Sequence, residues 1–255
     1  MTNTATTAEC SFEHAGTCPV CEKPVTFSAK GPYFRNTLKC PNCGTVPRHR
    51  ALMRVLETHF PDWRGLRVHE SSPGWDAVSA KLASECGNYL ASQYDTNVPF
   101  GTLVPAPRMP CRSYRSEDLE RQTFPDGIFD LVVTQDVFEH LFRPDLAIKE
   151  VARTLKPGGA TLMTVPIVMK AKPSRRRAAM ADGEVRHVLP PDYHGNPMSA
   201  DGSLVAVDWG YDIVSYLQHH SGLSFMMCRI DDIDLGIRAE LVEVLVGFKR
   251  PIPAV

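Results

Sequence analysis

The stretch from Phe129 to Ile167, FDLVVTQDVFEHLFRPDLAIKEVARTLKPGGATLMTVPI, constrains the fold more than any other. It opens with Phe129-Asp130-Leu131-Val132-Val133, an apolar run of the length of a buried strand. A polar break follows at Thr134-Gln135-Asp136. Pro144 stands where a first-turn proline is tolerated, and Ile148, Val151, Ala152 and Leu155 then recur at helical spacing. Lys156-Pro157-Gly158-Gly159 stops that helix, and Ala160–Val165 reads as a second strand. Strand, crossover helix and strand predict a right-handed parallel βαβ unit. The polar break falls at the carboxyl end of the first strand, where open α/β sheets bind their ligands.

The second constraint is a pair of knuckles, Cys18-Pro-Val-Cys21 and Cys40-Pro-Asn-Cys43, separated by 18 residues. That spacing fits a zinc ribbon: two thiolates on one tight turn reach one ion, and a hairpin returns the second pair to complete a tetrahedron. Four sulfurs leave no open coordination position, so the zinc is expected to be structural. A ribbon of about 30 residues buries too little core to fold alone, and metal binding would supply its folding energy. Cys10, Cys86, Cys111 and Cys228 are expected to be reduced thiols in a cytoplasmic protein.

Composition sets the outer limits. With 255 residues, 43% hydrophobic, the chain can build one sizeable α/β domain plus a small appendage. A formal net charge of −1 argues against a protein that coats nucleic acid by charge alone. MTNTATTAEC has no apolar leader, and Ala160–Met169 is too short and broken to span a bilayer, so no membrane partner is expected.

The expected organisation is a disordered lead over residues 1–15, a zinc ribbon over 16–46, a connecting helix over 47–63 and the α/β domain over 64–255. In the helix, Leu52, Val55 and Leu56 form the apolar stripe. Arg48, His49, Arg50 and Arg54 form the polar side, with His49 read as a surface residue. Pro61–Gly65 reads as a domain boundary. Leu66–Glu70 is a first strand, Ser71–Gly74 a turn, Trp75–Ser84 a helix and Tyr89–Ser92 a second strand. A third strand precedes Asp118, after a proline-rich loop. Residues 168–209 form an insertion with a basic start (Lys170, Lys172, Arg175, Arg176, Arg177), read as a solvated loop. Its Tyr193-His194-Gly195-Asn196 run has no apolar period and suits a pocket lining. A helix over 210–221 and two adjacent strands, Ser224–Ile230 and Leu241–Phe248, suggest an antiparallel hairpin closing the sheet.

Three segments then carry a resemblance. Phe124-Pro125-Asp126-Gly127-Ile128-Phe129-Asp130-Leu131, Val137-Phe138-Glu139-His140-Leu141 and Leu155-Lys156-Pro157-Gly158-Gly159 resemble, in order, the "fPdgsFDlv", "vlEH" and "lkPGG" segments of the class I S-adenosylmethionine-dependent methyltransferases. The resemblance covers about residues 64–250. It implies a Rossmann-like, doubly wound, seven-stranded α/β sheet with an antiparallel last strand, here preceded by the zinc ribbon, and S-adenosyl-L-methionine as cofactor. It implies cofactor contacts at Glu70 and Gly74 of the first motif, at Gln93, Tyr94 or Asp95 for the ribose, at Asp118 and Leu119 for the adenine, and at Thr134 and Gln135 near the methionine end. Where the family has glycine-rich E/D-x-G-x-G-x-G, this chain has Glu70-Ser71-Ser72-Pro73-Gly74-Trp75-Asp76. Ser72 carries a Cβ, so its backbone is expected to avoid positive φ, with its hydroxyl free to bond the methionine carboxylate.

His140, His194 and Asp136, in that order, are the candidate bases if the acceptor is a hydroxyl. The expected acceptor is a small molecule or glycan precursor. The alternatives are an RNA methyltransferase gripping its substrate with the ribbon, and a catalytically inactive binding protein with the fold of an enzyme. Oligomeric state is not legible.

Overall fold

The computed structural model describes residues 11–196 and 201–251. An antiparallel hairpin, β1 (Ser11–Thr17) and β2 (Pro24–Lys30), starts the chain, followed by a single turn α1 (Phe34–Thr37) and helix α2 (Pro47–His59). Residues 11–15 therefore differ from the expected disordered lead: each pairs with a β2 residue, as Ala15 does with Thr26. The amide of Thr17 also donates to Asp234 O. Residues 1–10, with Cys10, lie outside the described residues.

An eight-stranded sheet follows: β3 (Arg67–Ser71), β4 (Asn88–Gln93), β5 (Leu103–Pro105), β6 (Ser113–Ser116), β7 (Phe129–Gln135) and β8 (Leu155–Thr164). The insertion contributes the short strands β9 (Arg175–Arg176), β10 (Ala178–Ala181), β11 (Glu184–His187), β12 (Tyr193–His194), β13 (Ser203–Leu204) and β14 (Val207–Asp208), which pair among themselves. Strands β15 (Ser224–Cys228) and β16 (Val244–Phe248) complete the sheet in the order β15-β16-β8-β7-β3-β4-β6-β5. The pairs from β8 to β6 are parallel, and β16 runs antiparallel to both its neighbours. The sheet is one strand wider than expected because Leu103–Pro105, inside the proline-rich loop, pairs antiparallel with the free side of β6. Pro105 lacks a donor, which an edge strand tolerates.

Helices cover both faces: α3 (Ala77–Glu85) with α2 on one, and α4 (Pro144–Thr154) with α5 (Ile213–Ser221) on the other. The two-residue period of the strands sorts the core. Leu131 and Val133 of β7 and Ala160 and Leu162 of β8 meet Leu52, Val55, Leu56, Val78 and Leu82. Val132 and Met163 face Ile148, Val151, Ile213 and Leu217. The first cluster continues without a break into Cys18, Phe27, Leu38 and Cys40, so α2 is a layer of the sheet as well as a connection. Trp63, in the expected boundary, is fully buried in that cluster and donates to Glu57.

Arg50 is also fully buried, not on a polar helix face. Its guanidinium donates to the carbonyls of Leu38, Thr45 and Gly236, tying the cysteine module to the β15–β16 connection. Gly159 marks a close backbone approach in the βαβ unit. A Cβ there would lie 2.9 Å from Asp130 O and 3.0 Å from Lys156 O. The register aligns the ends of the central strands: Ser71 sits beside Ser92 and Thr134, and Gln135 beside Thr164. The polar segments after β3, β4, β6 and β7 thus open onto one edge.

Candidate functional site

A cleft of about 1370 Å³ lies along that edge. Among its lining residues are Ser72, Gly74, Gln93, Tyr94, Asp118, Leu119, Gln135, Asp136, His140 and His194, brought together from six segments. Glu70, Asp95 and Thr134 do not line it, and each has a physical reason. Glu70 is fully buried one layer below, where its carboxylate accepts from Ser79 Oγ (2.7 Å), Gln135 Nε2 (2.9 Å) and Tyr89 Oη (2.6 Å). Burial nevertheless pushes the Glu70 carboxyl up to about 7. Asp95 accepts from Tyr114 Oη at 2.7 Å and from Asn97, and the Tyr114 hydroxyl holds its carboxyl below the ordinary range. Thr134 is buried inside the sheet between Ser71 and Met163.

The turn after β3 corrects the expectation for Ser72. Its φ is +57°, the left-handed conformation a glycine would take, despite the Cβ. Ser72 N donates to Ser92 O at 2.7 Å, and the side chain of Gln93, also buried, donates to Pro73 O at 2.8 Å. The turn is therefore clamped by β4, and Gln93 serves the backbone of the turn. Asp76 then caps α3 by accepting from Val78 N and Ser79 N. At the next strand end, Tyr94 is exposed and packs on Phe100, with ring centroids 5.8 Å apart.

The cysteine module reaches into the same cleft. Asp136, at the end of β7 with φ +50°, binds Arg35 Nη2 and Arg48 Nε at 3.0 Å each and accepts from Thr164 Oγ1 at 2.8 Å. Burial would raise the Asp136 carboxyl, but the two guanidiniums win and hold it below its ordinary range. This corrects the expectation of Asp136 as a base, because a carboxylate so held is a poor proton acceptor. Arg35 also donates to Leu241 O. His49, expected at the surface, lines the cleft instead. Its Nδ1 is buried without a partner among the described residues, and burial pushes its imidazole down to about 4. Sequence reasoning missed Arg35 and Arg48, and ranked a surface role for His49 ahead of a substrate or metal contact. The only signal was the dense Arg48-His49-Arg50 run, which a helix face explains as well.

Glu139 and His140 precede α4 in a turn closed by His140 N donating to Val137 O. Glu139 is 1% exposed, and its carboxylate lies 3.7 Å from both His140 Nε2 and His194 Nδ1. That neighbour holds the His194 imidazole above its ordinary range. The insertion's arginines are committed. Arg175 and Arg177 bind the buried Asp208 at 2.6 and 2.9 Å, and Arg176 donates to Phe142 O. The three arginines are thus held by partners, although Arg175 stays about half exposed and the loop remains solvated.

Away from the cleft, the sulfurs of Cys18 and Cys43 lie 3.7 Å apart and those of Cys21 and Cys40 3.8 Å apart, with all four within 4.8 Å of one another. Disulfides need about 2.05 Å. Tetrahedral ligands on Zn–S bonds of about 2.3 Å are about 3.8 Å apart, so the donor set fits a zinc ion.

Comparison with known proteins agrees with the geometry. A family model described as "Methyltransferase domain" (type 11) matches residues 73–163, from the turn after β3 to the end of β8. An S-adenosylmethionine-dependent methyltransferase from Mesorhizobium loti is similar at a TM-score of 0.52 and 16% identity, over 78% of this chain and 98% of that one. A methyltransferase in complex with the Haloferax volcanii activator Trm112 is similar at 0.51 and 17%, over 82% and 92%. At such identities the solved structures speak for the fold. The matched segment, the clamped turn and the strand-edge cleft together identify residues 73–163 as a methyltransferase domain, on a sheet with the fold of S-adenosylmethionine-dependent methyltransferases.

Proposed function

We propose that the enzyme methylates a small-molecule acceptor, glycan precursors included, held between the sheet edge, the cysteine module and the insertion. The observation that carries this reading is the cleft itself. At about 1370 Å³ it exceeds the roughly 300–1,000 Å³ that one drug-sized ligand fills, which leaves room for cofactor and acceptor together. Its cations are already committed, Arg35 and Arg48 to a shared Asp136, Arg143 to Asp145 and Arg176 to Phe142 O. A wall that tracks a nucleic-acid backbone needs uncommitted ones.

The residues fit the cofactor. The left-handed Ser72 turn and Gly74 bring backbone close to the ligand, with the Ser72 hydroxyl available to its methionine carboxylate. Tyr94 and Asp118 would take the ribose and adenine ends, with Leu119 against the base. Gln135 joins the turn to the methyl-transfer end through Glu70, and Glu70 acts from behind as a positioning residue. When bound, S-adenosylmethionine supplies a methyl group on a positively charged sulfur. The chain's part is to align the acceptor and exclude water, which supplies most of the acceleration. His140 and His194 line the same cleft and are the candidates for handling the acceptor's proton, with Asp136 committed to the two guanidiniums. We assign Cys18, Cys21, Cys40 and Cys43 to a structural Zn²⁺, which fixes the module that carries Arg35 and Arg48.

Calorimetry with S-adenosylmethionine and its demethylated product tests the cofactor site. Saturable binding of both is expected, and no binding at high micromolar concentration refutes the enzyme reading. A gel shift with RNA at moderate salt tests the acceptor class. Salt-sensitive binding tighter than micromolar would move the assignment to RNA.

A further inference from the structure

We infer that Glu139, His140 and His194 form a binding site for a divalent first-row transition metal ion at the acceptor end of the cleft, distinct from the four-cysteine centre. Three observations carry it. First, the three ligand atoms lie within 4.8 Å of one another, with Glu139 Oε1 3.7 Å from each imidazole nitrogen. That is too long for a hydrogen bond. It is within a few tenths of an ångström of the roughly 3.4 Å between ligands that share one ion at about 2.1 Å.

Second, Glu139 is 1% exposed, and neither carboxylate oxygen has a hydrogen-bond partner among the described residues. A carboxylate taken out of water without donors is costly, and proteins resolve this by pairing it or by giving it a metal. The nearby guanidiniums of Arg35 and Arg48 are spent on Asp136. A divalent cation between Glu139 and the two imidazoles supplies the missing charge.

Third, the imidazoles are built in. His140 Nδ1 lies 2.9 Å from Leu204 O, which fixes the tautomer that leaves Nε2 free as a ligand. Metal-binding histidines use this outer hydrogen bond to set ring orientation. Leu204 is paired with Tyr193, next to His194, so one short ribbon both orients His140 and delivers His194. The same segment locks Glu139, whose carbonyl accepts from Ala206 N and Val207 N at 2.7 and 3.0 Å.

Two imidazoles and one carboxylate suit Zn²⁺, Mn²⁺, Fe²⁺ or Co²⁺ better than Mg²⁺ or Ca²⁺, which prefer oxygen. Three protein ligands leave at least one position open, and His140 and His194 line the cleft. The open position would hold an oxygen of the acceptor. That use rests on the methyltransferase reading above; the metal site itself does not.

The test uses the full chain, zinc-loaded at the cysteines and titrated with Mn²⁺, which prefers nitrogen and oxygen donors and does not displace zinc from four thiolates. Calorimetry and electron paramagnetic resonance should show one saturable equivalent of Mn²⁺. Glu139→Gln should weaken it at least about tenfold, and so should His194→Ala, whose side chain is 43% exposed and safe to truncate. No saturable equivalent in the wild-type chain, or binding unchanged in both variants, overturns the site and leaves Glu139 in an ion pair with His194 only. Cofactor binding measured on the same samples separates the outcomes: cofactor without manganese defeats this inference alone, and manganese without cofactor defeats the methyltransferase reading alone.

Discussion

Replacing Glu70 by glutamine should change how the stability of this protein depends on pH, and the sign is fixed by the structure. Burial raises the Glu70 carboxyl from an ordinary value near 4.5 to about 7, against the pull of the Tyr89, Ser79 and Gln135 donors. Between those two values the folded chain holds a proton that the unfolded chain has released. Stability therefore falls as pH rises through that window, by about 1.4 kcal/mol per pH unit and about 3 kcal/mol in all. Glutamine cannot ionise and lacks this decline. Its amide nitrogen faces a donor where the carboxylate had an acceptor, at a constant cost of about 1 kcal/mol. The variant should be within a few tenths of a kcal/mol of the wild type at pH 5 and more stable by about 2 kcal/mol at pH 8. Urea midpoints at the two pH values, with slopes checked for equality, measure the change. Other groups titrate alike in both chains and cancel. A stability gap that stays constant from pH 5 to pH 8 within about 0.5 kcal/mol would refute the burial argument.

Three further outcomes follow from the site. Asp136→Asn leaves Arg35 and Arg48 without their shared carboxylate; with the Asp136 side chain 22% exposed, a loss of about 2–4 kcal/mol is expected by chemical denaturation. Ser72→Gly removes the cost of a left-handed L-residue and should hold or raise stability by up to about 1 kcal/mol, whereas Ser72→Val should cost about 1–2 kcal/mol and weaken S-adenosylmethionine binding in calorimetry. If the cysteines hold zinc as proposed, metal analysis should find one equivalent in the wild type and none in Cys40→Ser, and the melting temperature of the whole chain should fall, because the cysteine module and the sheet share one core.

The parts of the fold written in local patterns were legible. The β7–α4–β8 unit is set by apolar periodicity and a proline–glycine stop, and the two cysteine knuckles by spacing alone. The illegible parts depend on partners distant in sequence. Arg50 reads as the polar side of a helix until the carbonyls of Leu38 and Gly236 are in place around it. His49 and Arg48 read the same way until α2 turns them to the strand edge. Ser72 was misjudged because the penalty of its Cβ is small beside the clamps from Ser92 and Gln93, which fix the turn. The eighth strand was hidden because its three residues end in proline and gain their pairing only from the free side of β6. In the cleft, His140 and His194 could be nominated by residue type, but the buried, unpartnered state of Glu139 has no sequence signature.

Arg50 has an electrical consequence. Four thiolates around the proposed Zn²⁺ would carry a net charge of −2, and the four cysteines lie close enough to act on the buried guanidinium. With the metal bound, Arg50 is a counter-ion sealed in beside its opposite charge. Without the proposed metal, burial favours neutral thiols at Cys18 and Cys40, and the guanidinium would keep its three carbonyls but lose its nearest negative charge. Demetallation is then felt well beyond the knuckles. Those same bonds hold the carbonyls of Leu38, Thr45 and Gly236 together, and with them the connection that places Leu241 against Arg35 at the wall of the cleft, so loss of the proposed zinc would be expected to reach that wall. Occupancy of a centre that takes no part in the chemistry would thereby set the shape of the pocket where the chemistry occurs.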